Sequence, residues 1–230
     1  LNFLSHGCRL VDQTEEFLLV DKLPGVISQG SSTSLCGQLS EYFQPSGIFP
    51  VHRLDQVTSG LLLLAKDPQI ASELSQQFAD RRVQKYYLAI SDRAPKRKQG
   101  AVIGDMAVAR RGDWKLLKTR ENPAATHFFS RACGEGRRLF LLRPQTGKTH
   151  QLRVALKSLG APVLGDPRYY RSSQADRCYL HAYALSFDCG GKSYSYRVPP
   201  TEGEYFLKEE CCQSIVDFAE PATQDWPVRK

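Results

Sequence analysis

The chain has 230 residues, 41% of them hydrophobic, 10% aromatic and 24% charged, enough to bury a substantial core. These proportions exclude a fibrous repeat or a disordered chain, and the longest apolar run, Leu61 to Ala65, is far too short to cross a bilayer. Lys and Arg outnumber Asp and Glu by 31 to 24, and the excess clusters at Arg81–Lys85, Arg93–Lys98 and Arg110–Arg120, which suits a polyanionic partner.

In chain order, Leu1-Asn2-Phe3-Leu4 has neither a basic region nor an apolar signal core, so a cytoplasmic protein is expected. Glu15–Val20 reads as a strand running into a Pro24-Gly25 turn. Leu35, Leu39 and Phe43 recur at helical spacing across Ser34–Phe43. Leu61–Lys66 is a buried strand. Asp67 and Pro68 then cap a helix that carries Ile70, Leu74 and Phe78 and ends near Arg82. Lys85–Ile90 is the next strand, and the polar, basic, glycine-interrupted stretch Ser91–Asn122 is expected to be a long loop or mobile hairpin. Thr126–Ala132 and Arg137–Arg143 pair around Gly134-Glu135-Gly136. A helix from about Thr149 buries Leu152, Ala155, Leu156 and Leu159 and stops at Gly160. Tyr179–Phe187 and Ser193–Val198 form a hairpin, and a last helix spans about 204–219. With no β-α-β rhythm and no internal repeat, the expected fold is α+β, one domain over 1–230 built on a central mixed, mainly antiparallel sheet flanked by helices.

Seven scattered cysteines without a C-x-x-C pair argue for reduced thiols, and five histidines without metal-ligand spacing give no reason to expect a metal. Thr146-Gly147-Lys148-Thr149 imitates the tail of a phosphate-binding loop, but Leu142 stands where its first glycine belongs. Arg111-Gly112-Asp113 imitates an integrin-binding tripeptide and reads as basic loop.

The most informative segment is Val51–Lys66, VHRLDQVTSGLLLLAK. It presents Asp55 on a loop before a buried strand, where a rigid element can hold a catalytic group, with His52 and Arg53 as donors for phosphate or base. Alone, Arg53 and Asp55 read equally as a surface pair. The wider pattern H-R-L-D-x-x-T-S-G-L-L-L-x-A-K resembles the central signature of the RluA family of RNA pseudouridine synthases. The likeness continues in order from about 17 to 199: Val20–Gly25 with the opening V-x-K-P-x-G, Lys85–Ala89 with K-x-Y-x-A, Pro144–Val154 with T-G-R-T-H-Q-I-R-V, Pro162–Asp166 with P-V-x-G-D, and Leu180–Ala182 with L-H-A. Leu23, Ala155 and Asp188-Cys189 depart from the family's usual residues.

The resemblance implies the pseudouridine synthase fold, the catalytic domain alone without a preceding S4-type domain, and isomerisation of uridine in ribosomal or transfer RNA by a monomer without metal or organic cofactor. It implies that Asp55 starts the chemistry, either by adding to uracil or by acting at the sugar. Tyr87 would pack on the flipped base and take the C5 proton, Arg153 would pair with Asp55, Arg53 would fill the gap in the RNA stack, and Leu180 would supply apolar wall. Without the resemblance, Tyr87 reads as a core aromatic and Arg153 as a solvated helix residue. Two other functions compete. A non-catalytic RNA-binding module has no need of Asp55, Tyr87 and Arg153 together, and an N-glycosidase needs a second acid, for which Asp166 is the plausible residue.

Overall fold

The computed structural model describes residues 6–44 and 47–227; the Leu1–Leu4 segment lies outside them. Two compact units are built from interleaved parts of the chain, the first from the stretch up to Lys85 plus His181–Val198, the second from Tyr86–Leu180 plus Pro199 onward.

The first unit centres on β4 (Ser59–Ala65), buried at all seven positions, as its leucine run demands. β2 (Phe17–Lys22) lies antiparallel to it, and β1 (Cys8–Gln13) lies antiparallel to β2. The two-residue β3 (Phe49–Pro50) pairs with the far end of β4. β11 (Leu180–Cys189) runs parallel to β4 at His181 and Ala182 and turns into β12 (Lys192–Arg197). Helix α1 (Leu35–Tyr42) starts at Ser34, whose hydroxyl accepts the Gly37 amide. Helix α2 (Pro68–Ala79) starts at Asp67, whose carboxylate accepts the amides of Gln69 at 2.6 Å and Ile70 at 3.1 Å. It ends short of the expected Arg82 because Arg81 adopts a left-handed conformation (φ 61°).

In the second unit, β5 (Gln84–Ser91), β10 (Arg138–Pro144), β9 (Ala124–Ala132) and β6 (Gln99–Gly104) form an antiparallel run, with β5 belonging here from Tyr86 onward. The parallel register of β4 with β11 beside the antiparallel registers given above matches the mixed, mainly antiparallel pattern expected from the sequence. Helix α3 (Gln151–Ser158) ends at Gly160, in the left-handed region at φ +74°. Helix α4 (Glu209–Val216) is shorter than the expected 204–219, because Gly203 at φ +100° holds 203–207 in a turn where its carbonyl accepts the Phe206 and Leu207 amides.

The stretch 91–122 is not a plain loop. It contains β6, paired to β9 from Gln99↔Phe129 to Gly104↔Ala124, and a separate hairpin of β7 (Met106–Val108) and β8 (Trp114–Leu116). The glycines that suggested a loop are what let an edge strand form. Gly100 faces Phe128, and a Cβ on Gly104 would lie 2.2 Å from the Leu117 carbonyl.

Among the described residues, no helix is long and apolar enough to cross a membrane, and no group of three or more His, Cys, Asp or Glu is arranged to hold a metal ion. All seven cysteines are unbridged, six of them buried.

Candidate active site

The Asp55 loop begins where β3 ends. β3 leaves β4 after Pro50, so the next inward-facing amide of β4, that of Leu63, loses its strand partner. His52 replaces it: its Nε2 accepts the Leu63 N–H at 3.0 Å, while its ring stacks on Phe78 at 4.4 Å. Burial, helped by the nearby Lys85 charge, pushes the imidazole pKa down to about 3. His52 is therefore a neutral acceptor at Nε2, bracing the loop, with its ring proton on Nδ1.

A pH dependence follows. Because the folded-state pKa is depressed, only the unfolded chain takes up this proton between about pH 6.5 and 3, so the His52 contribution is lost as pH falls through that window. Between pH 7 and pH 5 the wild type should lose about 2 kcal/mol more stability than His52→Gln, which keeps an acceptor but does not titrate. Urea unfolding of both proteins at the two pH values measures the difference; equal losses contradict the assignment.

The loop backbone is pinned residue by residue. Ser28 donates its hydroxyl to the Leu54 carbonyl at 3.0 Å, and the Thr58 amide donates to the Asp55 carbonyl at 3.0 Å. The Gln56 carbonyl accepts the Gly25 amide at 2.8 Å, and the Gln56 side chain returns a bond to the Gly25 carbonyl at 2.9 Å. Lys22, wholly buried, spreads its ammonium over the carbonyls of Leu23 and Val26 at 2.9 Å and Gln56 at 3.2 Å. Three donors thus meet three acceptors, the arrangement in which a buried ammonium is tolerated. The Pro24-Gly25 turn is in this way a buttress for Asp55, a role that the opening motif did not reveal in the sequence. Asp55 itself is half-buried, and Arg53 is exposed, with no hydrogen bond or ion pair to other described residues.

After the loop, Gly60 (φ +109°) lies so close to β11 that a Cβ there would sit 2.3 Å from the Ala182 carbonyl oxygen. Beside it Ser59 donates to His181 Nδ1 at 2.8 Å, and His181 Nε2 donates to the Val198 carbonyl at 2.8 Å. His181, passed over in the sequence in favour of its neighbour Leu180, thus fixes the start of β4.

In the second unit Tyr87 lies on β5 opposite Leu142, half-buried, while its neighbour Tyr86 is buried and packs near Trp226 at 5.9 Å. Leu180 is buried. Helix α3 is pegged by Gln151, whose Oε1 accepts from the Thr146 hydroxyl (2.7 Å) and Lys148 amide (3.0 Å) while Nε2 donates to Ala125 and Thr126. Two residues on, Arg153 is 4% exposed, which removes the solvated-helix reading. Its Nε and Nη2 both donate to the Asp166 carboxylate at 2.8 Å, a two-point fit between guanidinium and carboxylate. Asp166, fully buried, also accepts the amides of Arg168 (2.8 Å) and Tyr169 (3.0 Å). Burial alone would raise its carboxyl pKa, but the Arg153 bonds and charge with those two amides hold it below the ordinary value. Gly165 (φ +71°) permits this, since a Cβ there would lie 1.9 Å from the Arg177 carbonyl oxygen.

The first unit thus holds an acid on a pinned loop, and the second holds a half-buried strand tyrosine and an arginine paired to a buried carboxylate. Residues 16–158 match the RNA pseudouridylate synthase family. The chain belongs to that family. It is 43% identical over 209 residues to an uncharacterized RNA pseudouridine synthase of Haemophilus influenzae, covering 90% of this chain and 93% of the relative. It is 32% identical over 206 residues to the dual-specificity RNA pseudouridine synthase RluA of Salmonella typhimurium, covering 81% and 90%. Among solved structures, human RNA pseudouridylate synthase domain containing 1 aligns over 94% of this chain and 96% of its own with a TM-score of 0.73 at 25% identity. The reaction of this synthase is the isomerisation of uridine in RNA, as the resemblance implied. The matched span contains Asp55, Tyr87 and Arg153; Asp166 and Leu180 lie beyond it.

Proposed function

We propose that Asp55 is the catalytic carboxylate of this synthase, and that Tyr87 and Arg153 act with it on one uridine turned out of the RNA stack. The reading rests chiefly on the Asp55 loop, whose backbone is held at Leu54, Asp55 and Gln56. Such fixing is what an acid needs when it must meet one carbon atom of a substrate rather than a diffuse charge. In the reaction the C1′–N1 bond breaks, the uracil turns, a C1′–C5 bond forms, C5 loses its proton and N1 gains one. Asp55 initiates this sequence, and the Tyr87 oxygen takes the C5 proton as its own hydroxyl proton passes to solvent.

Turning the base out costs a few kcal/mol. Arg53, exposed and without an ion-pair or hydrogen-bond partner among the described residues, can place a planar cation in the vacated stack. Arg153 keeps its charge because Asp166 compensates it, and it orients Asp55; Leu180 gives the base an apolar wall. The RNA is structured ribosomal or transfer RNA. The enzyme works as a cytoplasmic monomer without metal or organic cofactor, in keeping with its free thiols. An N-glycosidase would need Asp166 as its second acid, and the bonds from Arg153 leave that carboxylate no capacity for proton transfer.

Pseudouridine mapping of ribosomal and transfer RNA from cells with and without the gene tests the substrate class. The expected result is a small number of positions lost in the deletion and restored by the purified enzyme on the extracted RNA. Identical maps from the two cell lines contradict it.

A further inference from the structure

The second unit carries a recess of about 450 Å³ that the chemistry above does not use. Its lining includes Arg93, Lys157 and Arg171, with Tyr169, Tyr170 and Pro162 as its wall and floor. The volume falls in the range, roughly 300–1,000 Å³, of sites for nucleotide-sized ligands. None of the three cations forms an ion pair with another described residue. Two are instead held over aromatic rings: the Arg93 guanidinium lies 4.8 Å from the Tyr170 ring centre, and the Lys157 ammonium 5.3 Å from that of Tyr169. Cation–π contact orients a charge while leaving its hydrogen-bond donors free.

The rings are themselves fixed. The Tyr169 hydroxyl accepts the Trp114 amide at 3.1 Å and bonds His150 Nδ1 at 2.8 Å, and the Tyr170 hydroxyl donates to Asp92 at 3.0 Å. Asp92, next to Arg93 in the chain, takes this bond and forms no ion pair with Arg93. The carbonyls at the end of α3 add no exposed negative pole, since Leu159, Gly160 and Ala161 amides cap those of Ala155, Leu156 and Lys157.

Preset cations without counter-ions, on tyrosine faces, in a concavity, describe a site for a phosphate joined to something flat. We propose that this recess grips the backbone of the substrate RNA away from the reacting uridine, with a phosphate between Arg93, Lys157 and Arg171 and an adjoining unpaired base against Tyr170. The proposal rests on RNA being the substrate. It assigns these residues to affinity and leaves the bond-making step to others.

The test is fluorescence anisotropy with a labelled 20-residue oligouridylate at several salt concentrations. Arg93→Gln/Lys157→Gln should bind about tenfold more weakly at 150 mM salt, with a log–log salt slope shallower by about 1. The control Lys192→Gln/Lys208→Gln removes the same net charge and should leave the slope unchanged. Tyr170→Ala should weaken binding, whereas Tyr170→Phe, which keeps the ring, should not. Circular dichroism melts accompany each variant, and Tyr170→Phe keeps the idea testable if Tyr170→Ala unfolds. An unchanged slope in the recess variant, or an equal change in the control, overturns the proposal. Tritium release from RNA labelled at uridine C5 is run with the wild type in parallel. Release with an unaltered slope refutes the recess alone, whereas no release refutes the catalytic reading on which it stands.

Discussion

Replacing Asp166 with alanine is expected to destabilise the protein by about 3–5 kcal/mol. The change strips a guanidinium that is 4% exposed of both its 2.8 Å bonds and leaves the Arg168 and Tyr169 amides without their acceptor. Removing one partner of a buried ion pair leaves the other poorly compensated in a desolvated setting, and that cost rather than the strength of the pair sets the magnitude. At roughly 2–4 °C per kcal/mol for a chain of this size, the melting midpoint should fall by about 10 °C.

A companion variant separates folding from function. Arg153→Met/Asp166→Leu removes both charges and should recover much of the lost stability, since an apolar pair of similar volume replaces a buried ion pair at little cost. Its activity should nevertheless stay lost, because Arg153 no longer serves Asp55. Recovered stability together with recovered turnover would reduce Arg153 to a structural residue. The pair also carries a pH signature. Asp166 titrates below its ordinary value in the folded protein, so its contribution is complete above the unfolded value of about 4 and is lost as pH falls below that through the lower folded value. This acid limb lies below the pH range in which His52 first acts, so the two are separable.

The elements that were legible in the sequence are those whose local chemistry and tertiary environment agree. The leucine run of β4 is buried throughout, the Asp67-Pro68 start of α2 is made by the expected carboxylate, and Gly160 ends α3 as expected. The elements that were missed lie at edges. β1 is interrupted by a register shift between Leu10 and Asp12, which breaks the alternation that announces a strand. β6 is an edge strand in which glycine replaces the side chains a strand reading relies on.

The site was legible as a set of motifs and much less so as a set of contacts. Asp55 stood out because acid, turn and buried strand are adjacent in sequence. The partners that give these residues their properties are distant: Lys22 reaches Gln56 across 34 positions, Ser59 reaches His181 across 122, and Arg153 finds Asp166 13 residues on. Spacing carries no signal for bonds of that kind. Lys22 stood in the sequence only as part of the opening motif, although it is wholly buried, and nothing local to His52 shows that β3 ends early and leaves the Leu63 amide to be satisfied.

The side-chain carboxylate of Asp55 is proposed to start the reaction. Asp55→Asn keeps the size of the side chain and leaves untouched the backbone bonds that pin the loop, so it replaces the proposed reactive acid with a neutral amide of the same shape. The decisive measurement is tritium release from C5-labelled RNA under single-turnover conditions, with binding of the same RNA measured in parallel. The account predicts that the variant binds within a few-fold of wild type and releases no tritium above background. Release at the wild-type rate from the asparagine enzyme would contradict it.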